Sequence, residues 1–127
     1  MRQILFVGIG GFCGAILRYL ISGWVQSLSR SIDFPYGTLA VNVLGCLVIG
    51  LFSQLAASRG SFGPDSRALI FIGILGAFTT FSTFSNETMN LIVDGNHMMA
   101  LANIGLQLSL CLGAAWLGQA LAYQIWR

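Results

Sequence analysis

Four apolar stretches follow one another through this chain, separated by short polar interruptions, and each is long enough to cross a bilayer. A helix spanning the hydrocarbon core takes ~20 mostly apolar residues. Four spans therefore use nearly all 127 residues and leave no length for a soluble catalytic domain. Composition agrees, with 56% hydrophobic and 8% charged residues and a mean hydropathy of +0.80. A soluble domain of this size needs far more charge on its surface. The expected fold class is an all-α membrane protein of four transmembrane helices, a single multi-pass transmembrane domain over residues 1–127.

The charges are six arginines, no lysine and four acids, scattered rather than clustered, so a nucleic-acid partner has no electrostatic footprint. Cys13, Cys46 and Cys111 fall within apolar stretches without metal-ligand spacing and read as buried, reduced thiols. Arg2 ahead of the apolar run Ile4 to Leu17 imitates a secretory signal, but no convincing cleavage site follows, and it is kept as the first helix.

The first span runs from about residue 3 to 27, interrupted by Arg18, with Trp24 as an interfacial anchor near its end. Pro35 suits the first turn of a second span over 36–57. Arg59 to Arg67 is dense in turn formers and is expected to be loop. The third span, 68–93, passes from Ile70-Phe-Ile-Gly-Ile-Leu-Gly-Ala-Phe78 into Thr79-Thr-Phe-Ser-Thr-Phe-Ser85. That run of hydroxyl and β-branched residues near mid-span predicts a broken helix. Asp94 to His97 forms the last loop, and Met98 to Trp126 the fourth span, closed by Arg127. Both termini then share a side with Arg2, Arg59, Arg67 and Arg127, against Arg18 and Arg30 opposite. The rule that arginines stay cytoplasmic puts that side inside.

The break concentrates the chemistry. Unwound backbone at membrane depth is tolerated where protein or a water-filled cavity surrounds it, and its free carbonyls serve as ion ligands in broken-helix transporters. The carbonyls of Gly76 and Thr79 are candidates to hold a cation; a simple kink with back-bonded hydroxyls is the alternative. Phe81 and Phe84, three apart, share a helical face beside Ser82 and Thr83. Their positive ring edges suit a dehydrated anion, although such a pair also serves as plain packing. Thr38 and Asn42 share a face of the second span with Gly45, and Asn103 and Gln107 share one on the fourth, where Ser109 and Cys111 add polarity. An amide in hydrocarbon costs a few kcal/mol unless partnered, so these read as a polar track or as glue between helices. Gly10-x-x-x-Gly14 fits close helix approach. Arg18 either pairs, with Glu87 a conceivable partner, or snorkels to the interface.

Gly10-Gly-Phe-Cys-Gly-Ala-Ile-Leu-Arg18-Tyr19, Pro35-Tyr-Gly-Thr-Leu-Ala-Val-Asn42-Val-Leu-Gly45 and Gly76-Ala-Phe-Thr-Thr-Phe-Ser-Thr-Phe-Ser-Asn-Glu87 resemble the Fluc/CrcB family of fluoride channels over nearly the whole chain. The resemblance implies an antiparallel, dual-topology homodimer in the cell (inner) membrane that exports fluoride passively and protects against its toxicity. It implies a pore at the subunit interface lined by Phe81, Phe84, Asn42, Ser82 and Thr83, with Thr38, Asn103, Gln107 and Ser109 completing the polar track. It also implies a structural sodium ion held by the Gly76 and Thr79 backbone carbonyls of both subunits. The rival is a small multidrug-resistance-type four-helix transporter. That class depends on a glutamate in its first span, where this chain has Arg18. A membrane scaffold without transport would explain the packing glycines but not the broken third span.

Overall fold

The computed structural model describes residues 1–60 and 62–125, and these are helical except for short connections. Helix α1 is Arg2–Ser29 and α2 is Tyr36–Arg59. Helix α3 covers residues 64–78 in three continuous pieces, Pro64–Arg67, Ala68–Leu75 and Gly76–Phe78, of which the middle one is π-helical. After two non-helical residues α4 runs over Phe81–Val93, and α5 is His97–Ile125. Four segments are long and apolar enough to cross a membrane: Arg2–Ser29, Tyr36–Ser58, Pro64–Val93 and His97–Ile125. The third carries the break.

Most boundaries fall within a few residues of the expected ones, and the differences have local causes. The third span begins at Pro64 rather than Ala68, so the end of the expected loop is helical. Proline presets the first-turn φ and lacks an N–H that would be left over there; Asp65 faces the positive helix end and pairs with Arg2. His97 opens α5 instead of closing the loop, which shrinks to the turn at Asp94–Asn96 with Gly95 at φ 79°. Ser61 of the second loop, the expected end at Trp126 and the closing Arg127 lie outside the described residues.

Two parallel helix pairs form the body. Helix α1 crosses α3 at Gly10 and Gly14, the buried residues of α1. A methyl on Gly10 would strike the Leu69 carbonyl, and one on Gly14 the Ile74 carbonyl, so only glycine lets these backbones touch. Helix α2 packs as closely on α5, with Gly50 against Ala115 and Gly118 against Leu47. Gln26 ties α1 to α2: its Nε2 donates to the carbonyls of Ser31 (2.8 Å) and Phe34 (3.0 Å), and its Oε1 accepts from the Gly37 N–H at 2.9 Å. Apolar side chains cover much of the outside, including Phe12, Leu20, Leu112 and Trp116, as lipid or a second copy requires.

Candidate functional site

The site is built around the two residues between α3 and α4. Thr79 (φ −89°, ψ 158°) and Thr80 (φ −154°, ψ 113°) are extended, so the backbone leaves the helical path. In an unbroken helix the Thr80 N–H would reach the Gly76 carbonyl and the Thr83 N–H the Thr79 carbonyl. Here Thr80 N–H donates to Asn42 Oδ1 at 2.9 Å, and Thr83 N–H to Thr80 Oγ1 at 3.3 Å. The Gly76 and Thr79 carbonyls thereby lose their helical donors. Gly76 lies on the exposed side of the chain. A methyl added there would meet only the Phe71 carbonyl, at 3.6 Å.

Asn42 closes the break like a peptide partner. Besides accepting from Thr80 N–H, its Nδ2 donates to the Thr80 carbonyl at 3.2 Å and to Gln107 Oε1 at 3.1 Å. These bonds set the amide's orientation, and with it that of Gln107, whose Oε1 also accepts from the Cys111 thiol at 3.7 Å. Gln107 Nε2 is left buried with no hydrogen-bond partner among the described residues. A second chain of bonds runs from Asn103 Nδ2 to Thr88 Oγ1 (3.0 Å) and from that hydroxyl to the Phe84 carbonyl (2.8 Å). It leaves Asn103 Oδ1 buried with no hydrogen-bond partner among the described residues. A buried polar atom without a partner costs about 1–3 kcal/mol, and one of these orphans, Gln107 Nε2, belongs to a residue that borders a cavity where a further polar partner could meet it.

Two cavities meet at Thr80. One, of about 820 Å³, is bordered by Arg18, Thr38, Thr80, Thr83, Glu87 and Asn90, with Asp33 and Asp94 at the loop end. The other, of about 240 Å³, lies between Asn42, Thr80, Phe81, Phe84, Gln107 and Cys111. The phenyl rings of Phe81 and Phe84 sit 5.3 Å apart between centroids at 59°. Phe84 is buried, whereas Phe81 is 75% exposed and turned outward. Gly45 makes the break possible, because a methyl there would overlap the Thr79 side chain.

Of the residues expected at the site, Asn42, Phe81, Phe84, Gln107 and Thr79 border the smaller cavity, and Thr38 and Thr83 the larger. Thr38 donates to Glu87 Oε1 at 2.6 Å. Asn103 is fully buried on the same face of α5 as Gln107. Ser82 is exposed, with its hydroxyl 3.3 Å from that of Thr80. Ser109 stands apart, exposed and bonded back to the Gly105 carbonyl at 2.7 Å. Arg18 and Glu87 border one cavity without pairing; among the described residues the ion pair is Arg2–Asp65. The cysteines are free, but Cys13 is exposed on α1, and Cys46 and Cys111 line the smaller cavity instead of sitting in sealed packing. Reasoning from sequence missed Thr80, the cap of α4, whose signal was a threonine three residues ahead of Thr83 at a helix restart. It also missed Thr88, hidden because its role depends on a partner on another helix.

Residues 5–119 match the model of the family described as CrcB-like protein, Camphor Resistance (CrcB). A protein of Shewanella baltica (strain OS155) named fluoride-specific ion channel FluC is 47% identical over 97% of this chain and 98% of its own length. Proteins of the same name from Shewanella sp. (strain W3-18-1) and Shewanella woodyi are each 46% identical over the same shares. A likeness this high, running through every helix and across the interrupted third span, makes the chain a member of the CrcB family.

Proposed function

We propose that this chain is a passive, fluoride-selective channel of the cell (inner) membrane, working as an antiparallel homodimer. The relatives' name points to the ion, and they are named channels rather than enzymes. The observation that carries the reading within this molecule is the break held by Asn42, which sets the Phe81–Phe84 pair beside the Gln107 amide, whose Nε2 has no hydrogen-bond partner among the described residues. Fluoride is small and strongly hydrated, and its passage demands substitutes for water. Amide and hydroxyl donors together with ring edges supply them without a fixed cation that would trap the ion.

Hydrogen fluoride enters cells as a neutral acid and ionises in the more alkaline cytoplasm. An inside-negative potential then drives the anion out through an open path, about 2.3 kcal/mol per 100 mV. Export of this kind needs no other energy source and protects against fluoride toxicity.

The dimer reading draws support from what a single chain leaves open. Phe81 faces outward at the edge of the smaller cavity, and the Gly76 carbonyl is freed on an exposed face. In the proposed dimer the Gly76 and Thr79 carbonyls of two copies offer four neutral oxygens, a donor set suited to a structural sodium ion. Ser82, exposed in one chain, joins the polar track there, while Ser109 belongs to it only if the second copy covers that face.

Purified protein in liposomes is expected to release fluoride far faster than chloride, with no proton gradient applied. Equal release of the two anions, or none, would refute the channel.

A further inference from the structure

Thr38, Asn42, Cys46 and Gly50 recur every fourth residue on α2, as do Asn103, Gln107, Cys111 and Ala115 on α5. The two helices run parallel with a fixed register. Asn42 bonds Gln107 at 3.1 Å, and Gly50 packs against the Ala115 backbone. Cys46 and Cys111 form the rung between those two contacts, so the register turns them toward each other. Both are free and partly buried, and both border the cavity of about 240 Å³.

The surroundings limit what such a pair can hold. Leu108, Leu112 and Phe84 supply an apolar wall. No group of three or more histidine, cysteine or acidic side chains that could hold a metal occurs among the described residues. Zinc asks for four such ligands in a structural site and three in a catalytic one, whereas soft d10 cations prefer thiolates and are satisfied by two in line.

We propose that Cys46 and Cys111 form a two-coordinate site for a soft d10 cation, and that its occupation blocks passage between Asn42 and the Phe81–Phe84 pair. The blocking half rests on the channel reading above; the site itself does not. With mercuric chloride the chemistry balances without redox. Two S–H bonds break and two S–Hg bonds form, and two chlorides and two protons leave. The reagent is neutral and enters hydrocarbon, and the product is a neutral bridge filling the cavity.

The test uses the full chain carrying Cys13→Ala, so that the pair alone remains. After exposure to mercuric chloride and washing with excess N-acetylcysteine, mass spectrometry should find one mercury retained per chain. Adding Cys46→Ala or Cys111→Ala should lower retention roughly tenfold or more, since the second bond is no longer intramolecular. Equal retention in the single-thiol chains would overturn the site. In liposomes, mercuric chloride should cut fluoride release of the Cys13→Ala protein about tenfold, dithiothreitol should restore it, and the ratio with and without mercury should return to one in the single-thiol chains. Retained mercury with unchanged release would overturn the block. Absence of fluoride release before mercury is added refutes the channel reading and leaves the mass measurement to decide the site.

Discussion

Every hydrogen of the Asn42 amide nitrogen, and its oxygen, is committed to Thr80 or Gln107. Asn42→Ala would orphan the Thr80 N–H and carbonyl at membrane depth, at about 1–3 kcal/mol for each group left unbonded. The expected outcome is a lower unfolding midpoint in detergent together with loss of fluoride release; normal values of both would mean that another group holds the break. The two phenylalanines separate in kind. Phe84 is 8% exposed, so Phe84→Leu should cost about 1 kcal/mol of stability as well as flux. Phe81 faces outward, so Phe81→Leu should reduce flux with the chain's own stability unchanged, as thermal unfolding and release assays would read side by side. Asn42 and the phenylalanine pair were legible beforehand because each is anomalous alone: an amide in hydrocarbon must find a partner, and two rings three apart share a face. Ser109 could not be placed beforehand, because polarity in a sequence carries no direction. It lies two positions from Gln107 and so on a different face of α5, where its hydroxyl is satisfied by the backbone.

At the scale of elements the broken third span is the feature that everything else accommodates. Its position was readable from Thr79 to Ser85, since a dense run of hydroxyls offers the backbone competing bonds. What closes it was not, because Asn42 and Gln107 come from two other helices and Gly45 contributes only an absent side chain. The π-helical stretch Ala68–Leu75 was likewise unreadable. Its sequence is uniformly apolar, and the wider turn, with Gly76 N–H reaching the Phe71 carbonyl, coincides with the Gly10–Gly73 crossing rather than with any local signal. The restart of the helix depends on Thr80, whose Oγ1 accepts from the Thr83 N–H and lies 3.0 Å from the Thr83 hydroxyl. Thr80→Val keeps the shape and removes that cap, at about 1 kcal/mol. Flux should fall in Thr80→Val and recover in Thr80→Ser, which restores the oxygen. Equal flux in the two variants would reduce the cap to a bystander.

For the whole molecule the deciding property is orientation, because a channel built from two opposed copies needs one chain to insert both ways. Arg2 pairs with Asp65, which puts the amino terminus and the second loop at one end. Arg2 and Arg67 lie there, and Arg30 lies at the other end, with Arg18 in the span between. Orientation responds to arginines near the span ends far more than to acids, so the pairing of Arg2 does not cancel its vote. The bias is still small: the sequence places four arginines on one side and two on or toward the other. A few substitutions should therefore decide it. Ile32, in the first loop, is 98% exposed, and Gly63, in the second, has open space where a side chain would go. Ile32→Arg with Asp33→Arg adds votes at one end; Gly63→Arg with Arg30→Asn adds them at the other. Each chain expressed alone should insert one way, as labelling of intact cells with an impermeant thiol reagent at an introduced loop cysteine would read, and should conduct little. Expressed together they should restore fluoride release, since each supplies the orientation the other lacks. Full conduction from either chain alone, once labelling has established that it inserts one way only, would refute the opposed dimer.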